Sequence, residues 1–231
     1  MKPVIGITMG DPSGIGPEIA VKALTVKKYY DECRPLIVGD GVIMTEAVKR
    51  FGGGAKINII ENVKDALFTY GTIDVFDLKI FDDFGELEIG KVSEKSGEAA
   101  FLCVKKVIAL CMAGEIDATV TGPLNKESLN LSGHHYSGHT EIYADFTGTK
   151  DYSMMLAEKH FRVVHVSTHV SLREACDRVK KDRVLKVIEI ADDACRKLGI
   201  KNPRVAVAGL NPHSGENGMF GDEEIKEIIP A

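Results

Sequence analysis

The chain has 231 residues and a formal net charge of −5, which argues against an extended surface for binding nucleic acid. Hydrophobic residues make up 44% and charged residues 27%, as in globular chains that bury a core in one large or two small domains. No apolar stretch is long enough to span a bilayer, and the short one near the N-terminus does not fit a signal peptide. The five cysteines are odd in number and form no Cys-x-x-Cys pair, which favours free thiols in the cytoplasm.

The first half of the chain alternates apolar strand segments with helical segments. It begins with a buried strand at 3–9, a glycine turn at 10–16 and a helix over 17–28 that opens on Pro17. The further predictions are strands at 36–38, 56–60, 73–76, 78–81 and 118–120 and helices at 42–50 and 96–113, with Ser96 as the N-cap of the last helix.

The second half begins with an irregular polar loop at 121–141. After it we predict a helix at 141–146, adjacent strands at 152–157 and 162–166, helices at 172–179 and 183–198, a strand at 204–208, a polar loop at 209–221 and an acidic helix start at 222–229. Strands that alternate with helices throughout predict the α/β class with a mostly parallel sheet.

The turn at Gly10–Gly16 joins a strand to a helix and could bind an anion with free backbone N–H groups. It is not a Walker loop, and it is not a full dinucleotide fingerprint because the third glycine position is Ile19. Asp40, which follows the next strand, imitates the acid that binds ribose in dinucleotide sites. We interpret the segment as a tight turn that presents Asp11 and Ser13 to a cleft.

The loop at 121–141 concentrates chemistry-bearing side chains directly after a strand, where α/β proteins place ligands. They are Lys126, His134, His135, His139 and Thr140. His135 and His139 have the spacing of a zinc protease, but the residues between them lack the required glutamate, which excludes that reading. We expect His139 and Thr140, at the mouth of a helix, to hydrogen-bond a phosphate or carboxylate.

Two further histidines, His169 and His213, each follow a predicted strand. If those strands are parallel, their carboxyl ends bring the two imidazoles to one edge of the sheet. Imidazoles suit a divalent cation with open coordination positions, although two ligands are too few for a tight site. For either histidine alone, a structural role is the simpler interpretation.

Six segments together resemble the 4-hydroxythreonine-4-phosphate dehydrogenase family of vitamin B6 biosynthesis, PdxA. They are ITMGDPSGIGPE at 7–18, TGPLNK at 121–126, GHTE at 138–141, MML at 154–156, STH at 167–169 and GLNPHSGE at 209–216. The resemblance runs through the whole chain and is most specific in the first and last of these segments.

This resemblance implies an isocitrate/isopropylmalate-dehydrogenase-like fold of two α/β domains. We expect an incomplete first domain at 1–125 and a truncated, dimer-forming second domain at 126–231. The family's further metal histidine and its later substrate-binding lysine, asparagine and arginine lie in a C-terminal part beyond Ala231. The sequence is therefore expected to be a fragment or a truncated relative.

The resemblance also implies a homodimer that uses NAD or NADP and a divalent metal such as Zn, Mg, Mn or Co. By its motifs, His139 and Thr140 would bind the phosphorylated hydroxy-acid substrate, and His169 and His213 would bind the metal. We add Lys126 as a phosphate-facing or proton-transferring group.

The implied reaction is oxidation and decarboxylation of a 3-hydroxy acid phosphate such as 4-phosphohydroxy-L-threonine, in pyridoxal 5'-phosphate biosynthesis. Asn125 and the segment at 134–136 look more like the branch that acts on four-carbon sugar-acid phosphates, such as D-threonate or D-erythronate 4-phosphate. A phosphate acyltransferase-like protein and an inactive truncated relative are also consistent with the sequence.

Overall fold

The computed structural model describes residues 1–231 and divides into two compact units, Met1–Gly148 and Thr149–Ala231. The strands of the first unit are β1 (Val4–Thr8), β2 (Arg34–Gly39), β3 (Lys56–Ile60), β4 (Thr72–Asp77) and β5 (Ala118–Val120). Its helices are α1 (Gly16–Leu24), α2 (Lys27–Glu32), α3 (Gly41–Phe51), α4 (Glu94–Met112), α5 (Lys126–Leu131) and α6 (His139–Thr147). The second unit contains β6 (Met155–Ala157), β7 (Arg162–Val164), α7 (Leu172–Asp177) and α8 (Lys181–Lys197).

The five strands of the first unit form one parallel sheet in the order β3-β4-β2-β1-β5. The predicted α/β class with a mostly parallel sheet is therefore confirmed. The chain leaves β1 towards β2 on one side and later returns to β5 on the other side. Such a reversal of strand order creates a crevice at the carboxyl ends of the strands, where open parallel sheets bind ligands.

Both faces of the sheet are covered, which explains why β2 is a continuous apolar run. Ile37 belongs to one core with Met44 of α3, whereas Leu36 and Val38 belong to another core with Val107 of α4. All five side chains are buried, and each such burial stabilises the fold by roughly 1.5–3 kcal/mol. The sheet is therefore a rigid platform for the loops at its edge.

Two helix predictions in the first unit need correction. The single helix predicted at 17–28 is two helices, α1 and α2, with Thr25 and Val26 between them. The N-cap of α4 is Ser93 and not Ser96, because the Ser93 side chain accepts the backbone N–H of Ser96. The hydroxyl of Ser96 instead bonds that of Ser13 at 2.6 Å.

The strand predicted at 78–81 is wrong. Lys79 has a φ of 52°, which no strand tolerates. The backbone N–H groups of Ile80 and Phe81 donate to the carboxylate of Asp40 instead of to a neighbouring strand. A short helix, α5, also lies inside the segment predicted as an irregular loop.

In the second unit, β6 and β7 pair in antiparallel fashion, and the predicted strand at 204–208 is absent. A strand needs a hydrogen-bonded neighbour, and Val205 and Val207 of this segment are exposed. The acidic helix start predicted at 222–229 is a short π-helical turn, Glu224–Ile228. No helix in the structure has both the length and the apolar character needed to cross a membrane. The family-type domain division at 125/126 stays a prediction.

Candidate active site

The turns that follow β1 and β5 cross each other tightly at the reversal point of the sheet. The backbone N–H of Gly122 donates to Thr8 Oγ1 at 2.8 Å, and that of Asp11 donates to the carbonyl of Pro123 at 2.8 Å. Gly10 has a φ of 76°, and a Cβ at this position would lie 2.5 Å from the Pro123 carbonyl oxygen. Only glycine fits there, so the two turns form one fixed edge.

His139, the first residue of α6, packs against this edge. Burial lowers the pKa of its imidazole, and a hydrogen bond to the backbone of Gly122 opposes that shift only in part. The ring is therefore neutral at pH 7. Its Nε2 is buried and has no hydrogen-bond partner in the protein. Buried polar atoms are rarely left unpaired, and a ligand group is a natural partner for this one.

The start of α6 carries further unpaired polar groups. No side chain caps the helix at Gly138, so its first backbone N–H groups are free to bind an anion. Thr140 is half-buried, and Glu141 Oε2 is buried without a hydrogen-bond partner. The sequence analysis predicted His139 and Thr140 as binding residues but missed Glu141. Its position in the first turn of a helix that follows glycine-containing turns could have indicated it.

Lys126 is the first residue of α5, and it is exposed and free of ion pairs. Asn125 caps the helix by accepting the N–H of Ser128 at 3.0 Å. A Cβ at Gly97 of α4 would overlap the carbonyl of Ser128, so α4 and α5 cross at backbone contact. The position of Lys126 is therefore set by a cap and a close helix crossing.

We predicted that Asp11 and Ser13 would face a cleft, but both residues are buried. Asp11 accepts the N–H of Ser13 at 2.8 Å, and Ser13 bonds Ser96. Burial raises the pKa of the Asp11 carboxyl, and backbone hydrogen bonds from Ser13 and Gly14 oppose that shift. The expectation for Ser13 was wrong, because its hydroxyl serves the α4 contact.

The β1–α1 turn does not fit a dinucleotide. A Cβ at Gly16 would overlap the Met9 carbonyl, so this glycine serves the packing of α1 on β1. Asp40 is fully buried and binds backbone N–H groups, including those of Val42 and Ile43 at the start of α3. Neither residue is available to a cofactor, in agreement with the rejection of a Rossmann site.

The two remaining histidines of the 121–141 segment have partners within the protein. His134 Nε2 lies 2.7 Å from Glu98 Oε2, and its ring stacks on Phe101 at a centroid distance of 3.5 Å. His135 Nδ1 lies 3.0 Å from Asn130 Oδ1. His135 lies outside α6, which agrees with the rejection of a protease-type zinc site.

His169 and His213 both lie in exposed segments of the second unit. Exposed imidazoles on irregular backbone are accessible to a cation. The premise of parallel strands is wrong, however, because β7 is antiparallel to β6 and no strand precedes His213. The structure brings no three His, Cys, Asp or Glu side chains together as a metal site. The two imidazoles would need further donors, and their metal role stays a prediction.

Comparisons with known proteins agree with the family resemblance that the sequence motifs indicated. The family model described as "Pyridoxal phosphate biosynthetic protein PdxA" matches residues 31–231. A Clostridium botulinum (strain Hall) protein named "Putative D-threonate 4-phosphate dehydrogenase" is 48% identical over 230 residues, which are 100% of this chain and 69% of the relative.

Two solved structures are similar over the whole of this chain. A 4-hydroxythreonine-4-phosphate dehydrogenase from Burkholderia phymatum has a TM-score of 0.86 and 44% identity, with 100% of this chain and 69% of that chain covered. The Klebsiella pneumoniae 4-hydroxythreonine-4-phosphate dehydrogenase has a TM-score of 0.90 and 41% identity, with the same two shares covered.

Proposed function

The chain belongs to the PdxA family, and from that premise we propose that it oxidises a phosphorylated four-carbon hydroxy acid with NAD or NADP. The observation that carries the proposal is the neutral, half-buried imidazole of His139, whose buried Nε2 is unpaired at the reversal point of a parallel sheet. The hydroxyl group of a hydroxy acid can donate the hydrogen bond that His139 Nε2 lacks in the protein.

Two substrates deserve the first tests. The names of similar proteins refer to D-threonate 4-phosphate and to 4-hydroxythreonine 4-phosphate. Both compounds carry a carboxylate, a hydroxyl on C3 and a phosphate on C4, and they differ in the hydroxyl or amino group on C2. The relative named for D-threonate 4-phosphate is 48% identical to this chain and the structure named for 4-hydroxythreonine 4-phosphate is 44% identical, so we favour D-threonate 4-phosphate.

The reaction that we propose has two steps. In the first, C3 would lose a hydride and its hydroxyl a proton, which would leave a ketone. The product is a β-keto acid, so the bond between C1 and C2 can break, CO2 leaves, and the electron pair forms an enolate that a proton then quenches. The nicotinamide, when bound, supplies the hydride acceptor.

The residues of this chain have separate roles in the proposal. A neutral His139 that donates to the Gly122 backbone leaves Nε2 as an acceptor, matched to a substrate hydroxyl. Thr140, the free N–H groups of α6 and the unpaired Lys126 suit the anionic groups of the substrate.

His169 and His213 would hold a divalent cation together with further donors. When bound, such a cation supplies Lewis-acid polarisation of the C3 oxygen. Neutral imidazole ligands leave the positive charge of the cation undiminished, and they favour a transition metal over magnesium.

NADH absorbance tests the proposal directly. We expect the protein to reduce NAD or NADP with D-threonate 4-phosphate and to lose this activity when a chelator is added. His139→Asn should lower kcat/KM by at least about 100-fold, the usual effect of losing a positioned proton-transfer group. His135→Gln is the matched control, because His135 is exposed and contacts only Asn130.

A protein that reduces neither cofactor with either substrate contradicts the proposal. Dehydrogenase activity that survives the chelator contradicts the metal role of His169 and His213. Phosphate-dependent acyl transfer in the same preparation would favour an acyltransferase instead, since that chemistry needs neither nicotinamide nor metal.

A further inference from the structure

Glu224 is a buried carboxylate without an evident role in the proposed reaction. It is only 5% exposed, although it lies in the acidic segment at 222–229. Oε1 accepts the backbone N–H of Asn211 at 2.9 Å, and Oε2 is buried without a partner. A buried charge is costly unless it is paired, so its retention calls for a physical reason.

Asn211 links this carboxylate to His213. The Asn211 side-chain oxygen accepts the backbone N–H of His213 at 2.8 Å, and its Nδ2 donates to the carbonyl of Phe220 at 3.2 Å. The Asn211 carbonyl also accepts the N–H of Ser214 at 2.8 Å. One residue thus ties together both ends of the loop that carries His213, and Glu224 fixes that residue.

The loop needs such an anchor because its backbone is strained. Ser214, Glu216 and Asn217 have φ values of 50°, 43° and 57°, which non-glycine residues rarely adopt. Each residue of this kind costs roughly 1 kcal/mol and persists only where its surroundings enforce the conformation. The hydrogen bonds of Asn211 hold the loop at His213, Ser214 and Phe220, and backbone hydrogen bonds such as Phe220 N–H to the Gly215 carbonyl add to them.

The two glycines of the GLNPHSGE motif leave room for the Glu224 carboxylate. A Cβ at Gly209 would lie 3.2 Å from Glu224 Oε1, and one at Gly215 would lie 3.0 Å from Oε2. Gly215 also has a φ of 69°. Both glycines therefore leave the space that the carboxylate occupies, and the motif is shaped around Glu224 as well as around His213.

We infer that Glu224 is a positioning residue that fixes, through Asn211, the loop conformation that presents His213. The effect on the loop stands by itself. The consequence for metal binding rests on the proposed role of His213, and the two parts are tested by separate measurements.

Hydrogen exchange in the full chain tests the effect on the loop. Glu224→Ala removes the acceptor for Asn211, and we expect amides at 209–221 to exchange at least about 10-fold faster, as local opening becomes easier. Glu224→Gln keeps an acceptor oxygen and should restore most of the protection, which a role in charge alone would not allow. Glu223→Gln is the matched control, an adjacent and less buried carboxylate, and should exchange like the wild type.

Cobalt titration tests the consequence for the metal. Residues that orient a ligand typically change metal affinity by about 10–100-fold, so Glu224→Ala should weaken Co²⁺ binding within that range. Glu224→Gln should bind more tightly than Glu224→Ala, and Glu223→Gln should match the wild type. His213→Ala shows whether His213 is a ligand at all.

The outcomes separate the two claims. Wild-type exchange at 209–221 in a folded Glu224→Ala protein would overturn the inference. If Glu224→Ala does not fold, Asn211→Ala replaces it, since that change removes the His213 contact and leaves Glu224 its backbone partner; unchanged exchange would again overturn the inference. Equal Co²⁺ affinities of the wild type and His213→Ala would refute the metal role of His213, while the loop claim is judged by exchange alone.

Discussion

Asp40 stands where a dinucleotide-binding protein carries its ribose-binding acid, yet its carboxylate is fully buried. It accepts the backbone N–H groups of Val42 and Ile43 at the start of α3 and of Ile80 and Phe81 after β4. The carboxylate therefore joins two segments that the sheet alone would not hold together. In the sequence, position and residue type suggest a ligand contact, and only the partners reveal a structural one.

This role predicts a large loss of stability on substitution. Asp40→Ala leaves buried N–H groups unpaired, so we expect the free energy of unfolding to fall by more than about 3 kcal/mol. Asp31→Ala, at an exposed position, should change it by less than about 0.5 kcal/mol. Urea denaturation of the two variants measures both effects. If Asp40→Ala lowers the free energy of unfolding only slightly, the structural role is refuted and Asp40 is again a candidate for ligand binding.

His139 predicts a pH dependence of stability with a defined sign. Burial lowers its folded-state pKa below the ordinary value of 6.5, so the unfolded chain takes up a proton first as the pH falls. The contribution of the neutral ring is complete above pH 6.5 and is lost as the pH falls from there towards the folded-state pKa. His139→Gln cannot be protonated and should flatten this part of the curve.

Urea midpoints at several values between pH 8 and pH 5 test this for the wild type, His139→Gln and His135→Gln, with the pH values chosen to span the ordinary histidine pKa of about 6.5. His135→Gln makes the same kind of substitution at an exposed position and controls for the change of side chain itself. The same loss of stability in His139→Gln as in the wild type would show that burial of this imidazole does not control it.

Among the elements, α5 shows most clearly what the sequence conceals. It has six residues, too few for a helical period to be visible, and its surroundings read as a turn because of Gly122 and Pro123. The helix exists because Asn125 caps it and because Gly97 lets α4 approach it closely. The cap depends on the local backbone geometry at Asn125, and the close approach depends on Gly97, which is distant in the chain from α5.

Because α4 and α5 approach each other closely, we predict that a Gly→Ala substitution at their crossing lowers stability, the opposite of its usual effect in a helix. In a helix interior, Gly→Ala normally stabilises by about 1 kcal/mol. At Gly97 the added methyl group would overlap the Ser128 carbonyl, so we expect a net loss of at least about 1–3 kcal/mol and a displaced α5. Gly14→Ala is the control, since its Cβ would meet its nearest atom at an ordinary 3.5 Å.

Thermal unfolding and the exchange of α5 amides measure the outcome for both variants. Higher stability of Gly97→Ala would mean that the two helices can separate without cost. In that case the position of Lys126 would not depend on the crossing.

The sequence predicted the buried parallel strands and the helices α7 and α8 closely, but it wrongly predicted a strand at 204–208, for one physical reason. Apolar runs such as β1 and β2 need no information beyond themselves, because both of their faces are covered. The segment at 204–208 has similar residues but no bonded neighbour, and composition cannot reveal that. His139 was found through its motif, whereas Glu224 was missed because a buried glutamate in an acidic stretch looks like a solvated one.

At the scale of the whole molecule, the two units differ in how much apolar surface they bury. The first unit contains three clusters of buried side chains on and around the sheet. In the second unit, the buried apolar side chains are Val179, Val184, Val187 and Ala191. Large apolar groups such as Phe161, which is 70% exposed, remain accessible there. Small cores rarely supply more than about 3–5 kcal/mol, so the second unit is expected to open far more easily than the first.

Native-state hydrogen exchange of the full chain tests this difference. We expect amides in β1, β2 and α4 to exchange only by global unfolding, and amides in β6, β7 and α8 to exchange at least about 100-fold faster through local opening. Val187→Ala should accelerate exchange in α8 and leave β2 unchanged, because its side chain belongs to the second unit alone. Val75→Ala, in the sheet core, should accelerate exchange in β2. Equal protection in both units, lost together in both variants, would show that the chain unfolds as one cooperative body in spite of the small core at residues 149–231.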